Sequence, residues 1–149
     1  MLPLGSLTAG YTRLSETFVT AFYGIYDPGK KQLVYACAGH NPPRLKRCQD
    51  GTLAVLDGAR ALPLGILDKQ EYSECVQQLQ TGDQIVFYTD GITEAHNPAG
   101  EMFGTARLDQ VLELCTLEAS ALLDTVLQAV EQFTEGHPAE DDRTAIVRR

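Results

Sequence analysis

The side chains that could do chemistry are grouped at a few places in the chain. Asp90 and Gly91 close an apolar run within residues 81–95 (TGDQIVFYTDGITEA), and Glu94 follows Asp90 by four positions. Asp141 and Asp142 stand just before the β-like residues 144–148, and His40 and Asn41 lie in AGHNPP at 38–43. Carboxylates fixed at strand ends are the hard oxygen donors that Mg2+ or Mn2+ takes, and water ordered on such an ion can be activated to attack phosphorus. Asp90 and Asp141, acting through metal-activated water, are therefore the candidate catalytic and metal-binding pair. Gly91, Glu94, Asp142, His40 and Asn41 are candidates to stand behind that pair. A plainer account stays open on the residues alone. Asp-Gly is a common turn, neighbouring acids can form a solvated rim, and a single histidine before Asn-Pro-Pro can be a capped loop residue. Two carboxylates are also too few for a convincing two-metal centre.

The elements that must position these residues follow from the pattern of apolar side chains. Residues 84–88 (QIVFY) predict a buried strand that fixes Asp90 to a rigid scaffold. Residues 17–26 (TFVTAFYGIY) are apolar on both pleated faces, which suits a central strand, and Asp27-Pro28-Gly29-Lys30 turns it into a second strand at 33–37. Residues 44–48 and 52–56 predict a second hairpin around Gln49-Asp50-Gly51. The apolar stretch 61–67 is broken by Pro63 and Gly65 and reads as a close-packed connector. Residues 72–79 predict a third antiparallel pair, joined to the 84–88 strand through Thr81-Gly82-Asp83. A helical turn at 92–95 would put Asp90 and Glu94 on one face. Thr105 and Thr116 are candidate caps of two amphipathic helices, one carrying Leu108, Val111, Leu112 and Cys115, the other Leu122, Leu123, Val126, Val130 and Phe133. Gly136 and Pro138 end the second helix, and a last strand follows. Antiparallel strands, two consecutive helices and a final strand make the class α+β, and the run of short strands excludes a βαβ reading of the first half.

Composition narrows the function classes. With 149 residues and 44% hydrophobic content, one domain with a sizeable core is expected. Twelve basic against 20 acidic residues give a net charge of −8, which argues against a nucleic-acid or anionic-membrane partner. The four cysteines are scattered without a C-x-x-C pair, so neither a zinc site nor a disulfide framework is indicated. Reduced cysteines, no basic leader and no long apolar run predict a soluble cytoplasmic protein. No P-loop, G-x-S-x-G elbow, H-E-x-x-H segment or dinucleotide fingerprint is present. Arg44, Arg60 or Arg143 could meet a phosphate, and the sequence does not choose among them.

Five ordered segments, TFVTAFYG, YACAGHNPPRL, LPLGIL, TGDQIVFYTDGITEA and DDRTAIVRR, resemble the SpoIIE/RsbU branch of the metal-dependent PPM, or PP2C-like, serine/threonine phosphatases. The likeness runs from residue 17 to 149, with residues 1–16 poorly specified. It implies an α-β-β-α sandwich of antiparallel sheets flanked by helices, with Mg2+ or Mn2+ held by acids at strand ends. Asp90 and Asp141 match metal-ligand positions, Asp142 a neighbouring position that orients water or phosphate, and Gly39-His40-Asn41 a motif with a structural role. The reaction implied is hydrolysis of protein phosphoserine or phosphothreonine, on phosphorylated anti-anti-sigma proteins in sigma factor regulation. One departure is expected to matter. The family's G-D-x-Y/F-D and D-V-x-G-H-G segments, which bring further carboxylates, have no counterpart in residues 1–16, where Glu16 is the one acid. A partial domain over 17–149, an incomplete two-metal centre, and a homo-oligomer or complementing partner are the corresponding expectations. The alternative to an enzyme is a non-catalytic regulatory or protein-binding remnant.

Overall fold

The computed structural model describes residues 18–67, 69–114 and 118–148. Its elements run β1 (Ala21–Asp27), β2 (Gln32–Ala38), β3 (Arg44–Lys46), β4 (Leu53–Val55), β5 (Arg60–Ala61), β6 (Cys75–Gln78), β7 (Gln84–Tyr88), α1 (Asp90–Thr93), α2 (Gly104–Leu114), α3 (Ala119–Thr134) and β8 (Ala145–Arg148). They fall into two compact units, Met1–Pro42 with Leu56–Leu79, and Pro43–Val55 with Gln80–Arg149. No described helix is long and apolar enough to cross a membrane.

The first unit is built on β2, whose residues Leu33, Tyr35, Ala36, Cys37 and Ala38 are buried. The β1–β2 hairpin forms as its sequence predicts, because Asp27 Oδ1 accepts the N–H groups of Gly29 (2.9 Å) and Lys30 (3.0 Å) and so closes the turn. On the far side of β2, β5 pairs parallel at Cys37 and Ala38, and β6 pairs antiparallel at residues 32–35. Among the described residues β1 stands at the end of the strand order, next to β2. Residues 61–67 behave largely as the expected connector: after β5, Leu64 exchanges backbone hydrogen bonds with Val19 (2.8 and 3.0 Å).

The second unit is a sheet in the order β4-β3-β7-β8. Register places Arg44, Val86 and Val147 in one row and Tyr88 beside Ala145. Side chains in such rows share a face, and here it is the helix-covered one. Val86 and Tyr88 pack with Ile92, Phe103, Leu108 and Leu112, and with Leu122, Val126 and Val130 of α3. Two bases of β3 are sunk under α2. Arg44 is 5% exposed and forks onto Asp109, with Nε 2.8 Å from Oδ1, while its Nη1 reaches the Tyr88 hydroxyl at 3.0 Å. Lys46 is 1% exposed and donates to the carbonyl of Leu112 in the last turn of the helix. A cation at a helix C-terminus satisfies carbonyls that have no partner within the helix.

The third hairpin expected from sequence does not form. β6 pairs with β2 in the first unit, whereas β7 pairs with β3 and β8 in the second. The turn between them explains the separation. Asp83 is buried and accepts from Cys48 N–H (3.0 Å), Gln80 N–H (2.9 Å) and Arg47 Nη1 (2.7 Å), which ties the start of β7 to the end of β3. Burial pushes this carboxyl's pKa up, but the two backbone donors and the guanidinium outweigh that and hold it below the usual range. The helices occupy the expected stretches. Thr116 and Cys115, however, lie outside the described residues, as do residues 1–16, and Glu118 is the described N-cap of α3. That helix closes at Thr134, with Glu135 left-handed and Gly136 after it, as the glycine predicts.

Candidate metal centre

The site is assembled where the end of β7 meets the beginning of β8. Because these strands are antiparallel, with Tyr88 opposite Ala145, the residues leaving β7 lie beside those entering β8. Thr89 joins the two segments. Its N–H donates to the Thr144 carbonyl (3.1 Å), and its hydroxyl donates to the Asp142 carbonyl (3.2 Å) and accepts the Thr144 N–H (3.1 Å). Asp90 then opens α1, a single turn closed by Glu94 N–H on the Asp90 carbonyl at 2.7 Å. The turn begins two residues earlier than the sequence suggests, and it still stacks Glu94 over Asp90.

Gly91 makes this junction possible. A Cβ there would lie 2.3 Å from the Asp142 carbonyl oxygen and 2.9 Å from its carbon, so backbone meets backbone with no room for a methyl group. Asp90 and the Asp141–Asp142 segment are therefore brought together, as the neighbouring-strand expectation requires. Asp90, Glu94, Asp141 and Asp142 are all solvent-exposed. The Asp90 carboxylate accepts its neighbour's N–H (3.0 Å), as does that of Asp141 (2.7 Å), and among the described residues neither forms an ion pair.

His40 and Asn41 belong to the first unit. Gly39 before them is left-handed at φ 66°, and a Cβ there would strike Pro63 at 2.3 Å. Cys37 Sγ donates to the His40 carbonyl (3.2 Å), and the His40 ring lies 3.5 Å from the Thr20 hydroxyl. These contacts fit a shaped loop. Of the three arginines weighed for phosphate, Arg44 is committed to Asp109, and Arg60 is exposed on β5. Arg143, next to the acids, has a buried Nε without a hydrogen-bond partner among the described residues.

Thr89 and Gly91 carry more of the geometry than their sequence signals suggest. Thr89 is signalled only by its place between a buried strand and Asp90. His96 is a further residue that sequence reasoning left in a loop: its Nδ1 lies 3.6 Å from Glu140 Oε2, beside the acidic segment. No spacing rule links positions 44 residues apart.

The donor set can be weighed against the expected ions. Two unpaired carboxylates on a fixed strand junction fit part of the oxygen shell of one Mg2+ or Mn2+. Among the described residues no group of three or more His, Cys, Asp or Glu side chains could hold a metal, so these residues do not by themselves fit a two-metal centre.

The model of the Stage II sporulation protein E (SpoIIE) family matches residues 6–149. The chain belongs to the SpoIIE family. Phosphoserine phosphatase RsbU of Bacillus subtilis (strain 168) is 40% identical over 86 residues, covering 58% of this chain and 25% of that protein. The SiaA-PP2C domain of Pseudomonas aeruginosa superposes with a TM-score of 0.77 at 20% identity, over 97% of this chain and 57% of that one. The PP2C phosphatase domain with a regulatory-domain fragment of SpoIIE from Bacillus subtilis gives 0.73 at 23% identity, over 93% and 41%. These likenesses show the fold expected from sequence, antiparallel sheets flanked by helices in the PP2C manner. This SpoIIE-family chain spans a quarter of the RsbU relative and about half of the matched solved chains.

Proposed function

We propose that this chain carries part of the metal site of a PPM-type protein serine/threonine phosphatase, with Asp90 and Asp141 as ligands and a phosphorylated regulatory protein of the anti-anti-sigma type as substrate. The observation that carries the reading is the Gly91–Asp142 backbone contact, which fixes two unpaired carboxylate-bearing segments side by side. When bound, Mg2+ or Mn2+ would supply a water acidic enough to attack a phosphate monoester at neutral pH. The chain's own contribution is positioning: β7 and Thr89 hold Asp90, the β7–β8 pairing holds Asp141, and Asp142 stands next in line to orient water or phosphate. Further ligands are required from outside the described residues, and a second copy of the chain or a complementing partner is one source that the proposal includes. A cytoplasmic setting belongs to it as well.

The test is Mn2+-dependent phosphate release from a phosphoserine protein. Release is expected to vanish in Asp90→Asn and in Asp141→Asn, and turnover unchanged from wild type in both variants would remove the assignment. A second reading, a non-catalytic remnant that binds the regulatory protein, is favoured by one observation, the shortage of a third ligand among the described residues. It predicts binding of the phosphoprotein without release, unchanged in both variants.

A further inference from the structure

Asp90 rides on a stiff body that continues past α1. Ile92, Ala95 and Phe103 of this body are buried in the helix-covered core. Between the last two the chain turns back on itself, with Phe103 N–H on the Ala95 carbonyl (2.8 Å), Asn97 N–H on the Glu101 carbonyl (3.0 Å) and His96 opposite Met102. The Asn97 side chain ties the turn from within. Its Oδ1 accepts from Ala99 N–H (3.1 Å) and Glu101 N–H (2.9 Å), and its Nδ2 donates to Glu101 Oε2 (2.9 Å). A turn closed in this way holds a defined shape, so His96 keeps its place relative to Asp90.

Asp141 lies in irregular chain between the close of α3 at Thr134 and the start of β8 at Ala145. Two contacts bracket it. On the C-terminal side the Asp142 carbonyl accepts the Thr89 hydroxyl (3.2 Å), and on the N-terminal side Glu140 Oε2 lies 3.6 Å from His96 Nδ1. Thr89 immediately precedes Asp90 and His96 follows it by six positions, so both contacts fasten the Asp141 segment to the body that carries Asp90. The His96 nitrogen is shielded from solvent and has no hydrogen-bond partner among the described residues. A protonated ring there faces the carboxylate as an ion pair, whereas a neutral ring offers it no charge. Of the charges nearby in the chain, Glu94 is exposed, Glu101 is held by Asn97, and Arg107 donates to the carbonyls of Met102 and Phe103 over the face of Phe133.

We propose that His96 is a positioning residue for Asp141: with Glu140 it forms a brace that, together with Thr89, holds the Asp141 segment against the body carrying Asp90. The proposal rests on the reading of Asp90 and Asp141 as metal ligands, and it assigns part of their spacing to a histidine that does not touch the ion. Because the Glu140 side chain is 72% exposed, solvent screens the pair, and its effect is expected on a scale of about two- to fivefold.

Nitrogen-15 relaxation of the metal-free chain at about pH 6, where an ordinary histidine is mostly protonated, tests the brace. The Glu140 and Asp141 amides should be ordered in the wild type and lose order in both His96→Ala and Glu140→Gln, while the Asp90 amide stays ordered. The second variant changes an exposed side chain, so its result does not depend on how well the first one folds. His96→Arg, which keeps a cation in place, should restore the order. Raising the pH to about 8 should loosen the wild type to the level of His96→Ala and leave His96→Arg unchanged. Mn2+ titration calorimetry at about pH 6 should show binding about two- to fivefold weaker in the two loosened variants and of wild-type strength in His96→Arg. Amides unchanged in both variants, loosening that His96→Arg fails to cure, or Mn2+ binding indifferent to the loosening would each overturn the proposal and leave the ligand reading standing. Amides that respond as expected in chains that bind no Mn2+ would instead uphold the brace and remove the ligand reading.

Discussion

The two sheets of this chain hold their strands in different ways. In the second, β7 lies between β3 and β8, and its helix-facing side chains are buried under α2 and α3. Asp90 emerges from the end of that strand, so its backbone position is set by a sheet, a helical layer and the Thr89 hydrogen bonds together. In the first, β2 is held on both edges among the described residues, and β1 beside it wears half-exposed tyrosines and isoleucine. Precise placement of a metal ligand draws on the first kind of scaffold.

The largest expected difference between the two lies in truncation of an apolar side chain. Leu108 is fully buried, and Leu108→Ala should cost about 2–5 kcal/mol in chemical denaturation. Val76→Ala on the exposed face of the first unit should change stability by less than about 0.5 kcal/mol, as surface substitutions do. Similar losses at both sites would erase the contrast.

Next comes the fastening of β7 at its start. Asp83→Ala removes a buried carboxylate that serves three donors, and should cost about 2–3 kcal/mol at neutral pH. The sign of its pH dependence is fixed by the direction of the shift. The folded pKa lies below the unfolded carboxylate value near 3.9, so the contribution is complete above that value and is lost as pH falls through the folded one. The stability difference between wild type and variant should therefore be constant above about pH 4 and shrink as pH falls below it. Parallel curves would separate Asp83 from the stability of this turn.

How much of this was legible beforehand is best judged from particular residues. Apolar runs and turn dipeptides located β1, β2, β3, β4, β7 and the helices, because each depends on its own side chains. Partner choice was not legible for β6: a turn at 81–83 suggests a hairpin, and only the three-dimensional tie from Asp83 to Cys48 and Arg47 sends β7 to the other sheet. At the site, the approach of the segments that carry Asp90 and Asp141 was foreseeable from their places at strand mouths. That the meeting rests on Gly91 was not, because the atom it must avoid is a carbonyl 51 positions away.

Smaller changes probe the junction itself. Gly91→Ala forces a methyl group into the Asp142 backbone and should cost about 1–3 kcal/mol, with the Asp141 segment displaced. Thr89→Val leaves the Thr144 N–H without its acceptor and should cost about 1 kcal/mol. Thermal melts measure both, and the order of the two effects would reverse if the hydroxyl, not the close approach, sets the geometry.

The most direct test of the central claim is Mn2+ binding, measured by titration calorimetry on wild type, Asp90→Asn and Asp141→Asn chains. If the β7–β8 junction builds half of a metal site, the wild-type chain binds the ion and each variant binds about tenfold or more weakly. Identical binding in all three, or none in the folded wild type, would contradict it.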